Sequence, residues 1–452
     1  MTRPKGLTTL WTRVRRLLWS WWLWAAYTVY LINISEWWAA FGVGLWAGVC
    51  SLATPMESAP QYGLDHGLEV GSQEFIDTME GAAGVPLLPG NKLELLNNGD
   101  SFYPAMLKAV REAERSITIE AYIYWAGEIG MTFAHALAER ASKGVKVKVM
   151  LDAVGSASIG DDILKILKAG GAHVAWYNPI RWNKLRRINN RTHRKSLIVD
   201  GYIGFTGGAG IADQWTGNAQ DKKHWRDLQV RVEGPAVRPL QTGFAQNWLE
   251  CTGELVTGPD FYPHSKAVGR LAVQTIMSSP ETGASTARVM YVLAISAARH
   301  SIEIANPYFV PDHLSIDLFR DAVKRGVRVR VMVAGTPNDT FMARLNSLRL
   351  YGALLEAGVE LSEYNRTLLH HKTMVVDGLW ATVGTTNFDN RSFSHNEENN
   401  VCVCDAQIAR ELNDMFAKDA LLCDRVDLET WRRRPFLGKV AEALASFVQD
   451  QV

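Results

Sequence analysis

The pattern His-x-Lys-x4-Asp occurs twice in this chain, and this repetition restricts the possible folds more than any other feature of the sequence. The motif residues are His193, Lys195 and Asp200 in the first copy and His370, Lys372 and Asp377 in the second. A single match to so short a pattern is weak evidence, but two matches with similar surroundings are rarely accidental. The repetition therefore indicates one functional site built from two copies of the same unit.

The sequence around the two motifs is repeated as well. A pair of small residues begins seven positions after each Asp, as Gly207-Gly208 and as Gly384-Thr385. The parallel segments upstream are residues 116–122 with 301–308 and residues 144–150 with 326–332. Self-similarity of this kind is typical of an internal duplication.

Each copy alternates short β-branched stretches with stretches whose apolar residues recur at helical spacing. In the first copy this pattern predicts helices at residues 102–115, 132–142 and 161–169 and strands at residues 117–124 and 145–152. Alternating helices and strands favour an α/β fold whose sheets are covered by helices. We therefore predict two homologous α/β/α sandwich lobes related by a pseudo-twofold axis, preceded by a hydrophobic helical segment.

The motif itself has a direct chemical interpretation. Successive side chains of a strand point to opposite faces, so a His and a Lys two residues apart lie side by side. Each Asp is followed by Gly, which predicts a turn into a hairpin, and we expect the two Asp residues to fix that turn. The glycines at 207, 208 and 384 would let backbone N–H groups approach an anion.

An imidazole beside an ammonium group suits a phosphoryl group. The Lys supplies fixed positive charge, a neutral His can attack phosphorus, and a protonated His can give a proton to the leaving oxygen. Two such pairs around one phosphate provide one nucleophile and one acid, and this chemistry needs no metal or other cofactor.

These residues and their surroundings resemble the phospholipase D superfamily, specifically the bacterial cardiolipin synthase type, from about Lys92 nearly to the end of the chain. The similar stretches beyond the doubled motif are residues 205–213, 224–227, 232–237 and 384–393. The resemblance implies phospholipase D-like lobes and a membrane-associated phosphatidyltransferase that forms a covalent phosphatidyl-histidine and then transfers the phosphatidyl group to an acceptor alcohol. In this family phosphatidylglycerol is the expected donor and acceptor, and cardiolipin is the product. A phospholipase D-type hydrolase or nuclease using water remains an alternative, as does a catalytically inactive membrane scaffold.

The resemblance also implies residue roles. We assign His193 as the nucleophile and His370 as the acid, although the opposite assignment stays open, and Lys195 and Lys372 as groups that hold the phosphate oxygens. An acidic residue is expected to orient each imidazole, and the candidates are Glu398 in the second copy and Asp227 in the first.

One position departs from the family pattern. Asn387 follows the small pair of the second copy, where the family places an amide, but the first copy has Gly210 at this position. We expect Gly210→Asn to leave the enzyme active.

The amino-terminal region differs in composition from the rest. Residues 17–53 contain one formal charge, Glu36, and half of the 16 Trp residues precede Cys50. Two short membrane spans, one tilted span or an interfacial segment would each fit this pattern. We favour a hairpin in the bacterial inner membrane with cytoplasmic catalytic lobes, and a cleaved signal peptide is the rival interpretation.

The predicted segments are a membrane anchor (residues 1–60), a juncture (61–91), the first lobe (92–256), a connector (257–284) and the second lobe (285–452), which ends in an amphipathic helix at 436–448.

Charge favours a lipid partner over nucleic acid. The formal net charge is only +1, whereas a nuclease is expected to carry a broad basic surface. Local basic clusters suit an anionic membrane or headgroup. These clusters are Arg181, Lys184, Arg186, Arg187, Arg191 and Arg194 before the first motif, and Arg432, Arg433 and Arg434 near the carboxyl end. The oligomeric state cannot be inferred from the sequence.

Overall fold

The computed structural model describes residues 20–34, 36–53, 67–179, 189–280, 285–336 and 341–434. Three helices precede the first lobe: α1 (Trp21–Asn33), α2 (Trp37–Ala53) and α3 (Gln73–Ala83). The first lobe contains β1 (Leu88–Asn97), α4 (Gly99–Glu112), β2 (Ser116–Ala121), α5 (Glu128–Ser142), β3 (Lys146–Asp152), α6 (Asp161–Ala169), β4 (His173–Tyr177), β5 (Arg191–Thr192), β6 (Ser196–Val199), β7 (Ile203–Gly207), β8 (Leu228–Glu233) and α7 (Val237–Thr252).

The second lobe repeats this order. It contains β9 (Leu271–Ser278), α8 (Thr286–Ala297), β10 (Ser301–Ala305), α9 (His313–Lys324), β11 (Arg328–Ala334), α10 (Phe341–Glu356), β12 (Glu360–Tyr364), β13 (Lys372–Val376), β14 (Trp380–Gly384), α11 (Asn390–Ser394), β15 (Asn396–Cys404), α12 (Ala406–Ala420), β16 (Cys423–Val426) and α13 (Leu428–Arg432). The mixed α/β class predicted from the sequence is thus present in both halves.

The strands form one sheet that runs through both halves. Its order is β16-β12-β11-β10-β13-β14-β15-β9-β1-β8-β7-β6-β2-β3-β4, and β5 pairs with β15 outside this path. Reading outward from the β9–β1 contact, equivalent strands of the two copies follow in the same order on either side, with β16 added at one edge. The duplication in the sequence is therefore visible as a pseudo-twofold arrangement of the sheet.

The junction between the halves is antiparallel pairing of β1 with β9. Strand β9 lies inside the predicted connector, and β1 begins within the predicted juncture. Each of these strands also pairs antiparallel with a strand of its own half, β1 with β8 and β9 with β15. The two predicted lobes are therefore joined through one continuous sheet.

Helices cover both faces of this sheet. Helices α4, α5 and α6 enclose a core in the first lobe that includes Phe102, Phe133 and Leu167. Helices α8, α9 and α10 enclose the equivalent core in the second lobe. Helices α7 and α12 pack on the opposite face, where Phe244 and Leu412 belong to one apolar cluster spanning both halves.

The predicted helix at residues 161–169 coincides with α6, but α5 begins at Glu128, four residues before its predicted start. The reason is a distant cap. The carboxylate of Asp213 accepts the backbone N–H groups of Glu128 and Ile129 at 3.0 and 2.9 Å. Such a cap satisfies N–H groups that a helix start leaves without partners, and local sequence does not reveal it.

Helices α1 and α2 pack against each other around the close approach of Gly44 to Thr28. Many of their aromatic side chains face solvent, and Trp38 is 87% exposed. Among the residues that the structure describes, no helix combines the length and apolar character that a membrane crossing requires. The amphipathic segment predicted at 436–448 lies outside the described residues.

Candidate active site

The two motif histidines are held at the junction of the halves by matching backbone contacts. The N–H of His193 donates to the carbonyl of Glu397 at 2.9 Å, and the N–H of His370 donates to the carbonyl of Arg226 at 2.8 Å. Each histidine thus takes its backbone partner from the opposite copy. Both imidazoles are buried, His193 to 7% residual exposure and His370 to 4%.

Each imidazole also meets a carboxylate from the opposite copy. Nδ1 of His193 lies 3.0 Å from both carboxylate oxygens of Glu398, and Nδ1 of His370 lies 2.9 Å from Oδ2 of Asp227. The sequence had placed one candidate acid in each copy, and the structure exchanges them between copies. In both cases the carboxylate contacts Nδ1 and not Nε2, and Nε2 of His370 lies 3.3 Å from the ammonium group of Lys372.

Further hydrogen bonds fix the two carboxylates. The hydroxyl of Thr385 donates to Glu398. The indole N–H of Trp215 donates to Oδ2 of Asp227 at 2.7 Å, and the backbone N–H of Leu228 donates to its Oδ1 at 2.7 Å. Buried acceptors with this many donors hold their side chains in one geometry.

The two motif lysines lie beside their histidines. The ammonium group of Lys195 donates to the carbonyl of His193 at 3.0 Å, and that of Lys372 lies 3.2 Å from Nδ1 of His370. Burial, followed by the charge of Lys372, lowers the pKa of Lys195 to about 7. Charges from the two copies therefore act on one another across the junction, as groups around a common anion would.

The two halves differ in their electrostatics. Burial lowers the pKa of His193 well below its usual value, and the charges of Lys195 and Lys372 lower it further. Burial raises the pKa of Glu398 to about 7, against the opposing charge of Lys195. Burial also acts to raise the pKa of Asp227, but the hydrogen bond and charge of His370 outweigh it and lower the pKa. Burial thus favours the neutral forms of the His193 imidazole and the Glu398 carboxyl group, whereas the lowered pKa of Asp227 favours its carboxylate form beside His370.

The motif Asp residues lie in the hairpin turns, and their carboxylates bind backbone N–H groups. Asp200 and Asp377 adopt left-handed backbone angles, with φ of 52° and 54°. The carboxylate of Asp200 accepts the backbone N–H groups of residues 114–116, and that of Asp377 accepts those of residues 299–301. Each Asp therefore ties its turn to the start of the neighbouring strand.

The small residues after each hairpin have a packing reason. The N–H of Gly208 donates to the carbonyl of Leu228, and the N–H of Thr385 donates to the carbonyl of Asn399. A Cβ atom at Gly208 would lie 2.2 Å from the carboxylate of Asp227, one at Gly207 would lie 2.3 Å from the Leu228 carbonyl, and one at Gly384 would lie 2.3 Å from the Asn399 carbonyl. Close packing of strands accounts for the glycines, and the N–H of Gly208 already has a backbone acceptor. That the N–H groups of Gly207 and Gly384 approach an anion stays a prediction.

The Asn387 position and its counterpart differ physically. Asn387 is buried, and its Oδ1 atom has no hydrogen-bond partner among the described residues. At Gly210, a Cβ atom would lie 2.8 Å from the carbonyl oxygen of Ile123, because Ile211 pairs with this segment. The first copy therefore has no room for an amide side chain unless the backbone moves.

Aromatic rings surround the imidazoles, and sequence reasoning missed them. Tyr122 contacts His193 with ring centroids 5.2 Å apart, and Tyr308 approaches His370 at 6.3 Å. Trp215 and Trp225 pack on His370 at 5.3 and 5.9 Å. The two tyrosines end the parallel segments 116–122 and 301–308, so the duplication itself was the signal that could have found them.

The basic cluster before the first motif is not a uniform headgroup surface. Arg191 is buried beside Asp152, and Arg194 is buried in an ion pair with Glu397. These two arginines therefore form ion pairs inside the protein and are not part of a surface cluster. Residues 181, 184, 186 and 187 lie outside the described residues. Among the described residues, no group of three or more His, Cys, Asp or Glu side chains is arranged to hold a metal ion.

Comparison with known proteins decides the family. A family model described as "Cardiolipin synthase, PLD-like domain" matches residues 106–248 and 291–420. The chain belongs to this family. Its two matched segments lie one in each lobe, and each contains one copy of the motif.

Several curated relatives are similar over most of the chain. A cardiolipin synthase of Geobacillus kaustophilus is 34% identical over 363 residues, covering 80% of this chain and 72% of the relative. The major cardiolipin synthase ClsA of Bacillus subtilis is 32% identical, covering 78% of this chain and 74% of the relative. In fold, the chain is similar to the crystal structure of a phosphatidylserine synthase of Haemophilus influenzae, with a TM-score of 0.64 and 15% identity over 84% of this chain and all of that one.

Proposed function

We propose that this chain is a cardiolipin synthase, a phosphatidyltransferase that joins two molecules of phosphatidylglycerol and releases glycerol. The observation that carries the proposal is the pair of buried imidazoles, each oriented by a carboxylate from the opposite copy, within a family member similar to named cardiolipin synthases. The substrate assignment rests on those relatives, and the chemistry rests on the site.

In the first step, Nε2 of His193 attacks the phosphorus of the donor lipid. The N–P bond forms as the bond from phosphorus to the headgroup glycerol oxygen breaks, and His370 gives its Nε2 proton to the departing oxygen. The electrostatic difference between the halves supports this assignment, because a lowered pKa keeps His193 neutral and the anionic Asp227 favours a protonated His370. Lys195 and Lys372 neutralise charge on the phosphoryl oxygens.

In the second step, the hydroxyl of another phosphatidylglycerol attacks the phosphatidyl-histidine. His370, now neutral, accepts the hydroxyl proton, and the N–P bond to His193 breaks to regenerate the enzyme. The phosphate is transferred without net loss of a proton, so no external acid, base, metal or other cofactor enters the scheme.

Hydrolysis is the competing outcome, since water can replace the acceptor alcohol with the same catalytic groups. The burial of His193, Lys195, His370 and Lys372 favours transfer, because a site with restricted solvent access disfavours water as acceptor. The complete set of both motifs argues against an inactive scaffold.

Incubation of the purified protein with phosphatidylglycerol micelles tests the proposal. We expect cardiolipin and glycerol in equal amounts, with His193→Ala and His370→Ala forming neither. Glu360→Gln, in an exposed pair with Arg328, is the matched control and should retain full activity. Phosphatidic acid as the main product would show a hydrolase, and full turnover by both histidine variants would refute the mechanism.

We also propose that helices α1 and α2 associate with the bacterial inner membrane. Exposed Trp37, Trp38 and Phe41 support this, since aromatic side chains partition into the interface between lipid and water. Cytoplasmic placement of the lobes stays a prediction. A reporter fused after Pro60 should be active in the cytoplasm, and activity exclusively outside the inner membrane would contradict the placement.

A further inference from the structure

The two halves of the site share a backbone arrangement but differ in the charges that flank it. Glu397 accepts the N–H of His193, and Arg226 occupies the equivalent position for His370. Glu397 pairs directly with Arg194, the residue after His193. In the other half, the residue after His370 is His371, which offers Arg226 no acidic side chain, so Arg226 takes its counter-charge from elsewhere.

That counter-charge comes from Asp419, in the last turn of α12. Its carboxylate accepts the Nε–H of Arg226 with oxygen distances of 2.9 and 3.1 Å, and it lies 3.7 Å from Nε2 of His371. Arg226 and Asp419 are both buried and come from different halves of the chain. A buried ion pair with this geometry fixes both side chains, because either one alone would be an uncompensated charge.

The guanidinium group also braces the peptide units of Asp227. Nη1 of Arg226 donates to the Asp227 carbonyl at 2.9 Å and to Oδ1 of Asn98 at 3.1 Å. The same Asn98 oxygen accepts the N–H of Asp227 at 3.2 Å. Asn98 has φ 62° and ψ 170°, a backbone conformation that non-glycine residues adopt only where the surroundings impose it.

We propose that Arg226 and Asp419 are positioning residues for the acid half of the site: they hold Asp227 so that its carboxylate keeps His370 aligned for proton transfer. This inference rests on the proposed function. It follows that the pair matters for protonating a leaving group, whereas attack by His193 depends on the separate Arg194–Glu397 pair.

Two donors that differ only in their leaving group separate this role from a general structural one. Phosphatidylglycerol releases an alkoxide that must gain a proton as the P–O bond breaks. Phosphatidyl-p-nitrophenol releases a nitrophenolate, which departs as an anion and needs no acid. Both are dispersed in detergent micelles, with enzyme in excess so that only the first turnover is measured.

We expect Asp419→Asn to slow the first release of glycerol roughly 10-fold or more, while nitrophenolate release stays within about 2-fold of wild type. Asp419→Glu should recover most of the lost rate. Arg226→Lys, which keeps the charge but loses the contacts of Nη1, should show the same selective loss and serves if Asp419→Asn does not fold. Glu397→Gln is the matched variant on the nucleophile side and should slow both donors alike.

Equal slowing of both donors by Asp419→Asn and Arg226→Lys would overturn the proposal, because it would mean a structural role only. Unchanged rates in both variants would overturn it as well. Failure of the proposed function is distinguishable in the wild-type protein. Phosphatidic acid in place of cardiolipin would show that water is the acceptor, and the two donors would still decide the positioning role, whereas release of neither glycerol nor nitrophenolate would overturn both proposals.

Discussion

Nδ1 of His193 lies 3.0 Å from the carboxylate of Glu398, although the two residues are 205 positions apart in the chain. Asp227 and His370 form the reciprocal pair at 2.9 Å. Because each imidazole takes its carboxylate from the opposite copy, neither half contains an oriented histidine by itself. The duplication therefore produces one site and not two.

Replacing Glu398 should disable the nucleophile more than it unfolds the protein. Glu398→Gln keeps the shape of the side chain but replaces one carboxylate oxygen with an NH2 donor, so the side chain no longer selects the imidazole tautomer with an unprotonated Nε2. We expect turnover to fall by roughly 10²–10⁴-fold, as when an orienting carboxylate is lost from other triads. Cardiolipin formation from phosphatidylglycerol measures the loss, and turnover within about 2-fold of wild type would show that Glu398 does not orient His193.

The charge of Lys195 should set an alkaline limit to activity. Its pKa of about 7 means that the ammonium group loses its proton as the pH rises through neutrality in the free enzyme. We expect kcat/KM to fall on the alkaline side of about pH 7, because a neutral amine no longer stabilises phosphoryl charge. In Lys195→Arg the guanidinium stays protonated, so the remaining activity should lack this decline. A wild-type profile that is flat from pH 6 to pH 9 would contradict the assignment.

Asp200 and Asp377 should matter for stability and not for the chemical step. Asp200→Ala removes three backbone hydrogen bonds and places Ala at φ 52°, so we expect a loss of about 2–3 kcal/mol in the free energy of unfolding. Asp377→Ala should lose a similar amount, because its contacts are equivalent. Urea unfolding measures both losses. A folded variant without activity would mean that the carboxylate takes part in catalysis.

Gly210 should not tolerate a side chain. Gly210→Ala forces a Cβ atom against the Ile123 carbonyl, and we expect it to lose about 1–3 kcal/mol of stability, with a larger loss for Gly210→Asn. The expectation from sequence was that Gly210→Asn leaves the enzyme active, and the structure adds this loss of stability to it. Gly81 is the matched control, since a Cβ there meets nothing within 4 Å and Gly81→Ala should gain about 0.5–1 kcal/mol. Equal effects at both positions in urea unfolding would disprove the steric explanation.

Local patterns predicted the parts of the fold that depend on local interactions. Helix α6 has the predicted bounds, and each Asp-Gly turn leads into an antiparallel hairpin, β6 with β7 and β13 with β14. The apolar spacing and turn residues that define these elements lie within a few positions of each other. Because the sequence is duplicated, the elements predicted for the first copy also predicted those of the second.

Long-range contacts were beyond such reasoning. The β1–β9 junction, the cap of α5 by Asp213 and the exchange of Asp227 and Glu398 between copies all join residues far apart in sequence. A carboxylate's position in the chain shows which copy it belongs to, but not which imidazole it meets. The sequence pattern identified the four residues concerned, and the three-dimensional arrangement shows that Glu398 pairs with His193 and Asp227 with His370.

The β1–β9 junction joins two halves of one chain, so the two sides of the site can evolve independently. In a homodimer with the same geometry, every substitution would occur on both sides of the phosphate at once. Here the two sides are encoded separately, so the first copy can carry Gly210 where the second carries Asn387. For the same reason Arg226 can occupy the position beside His370 that Glu397 occupies beside His193. Covalent linkage has released the two halves from symmetry, and each can specialise without altering the other.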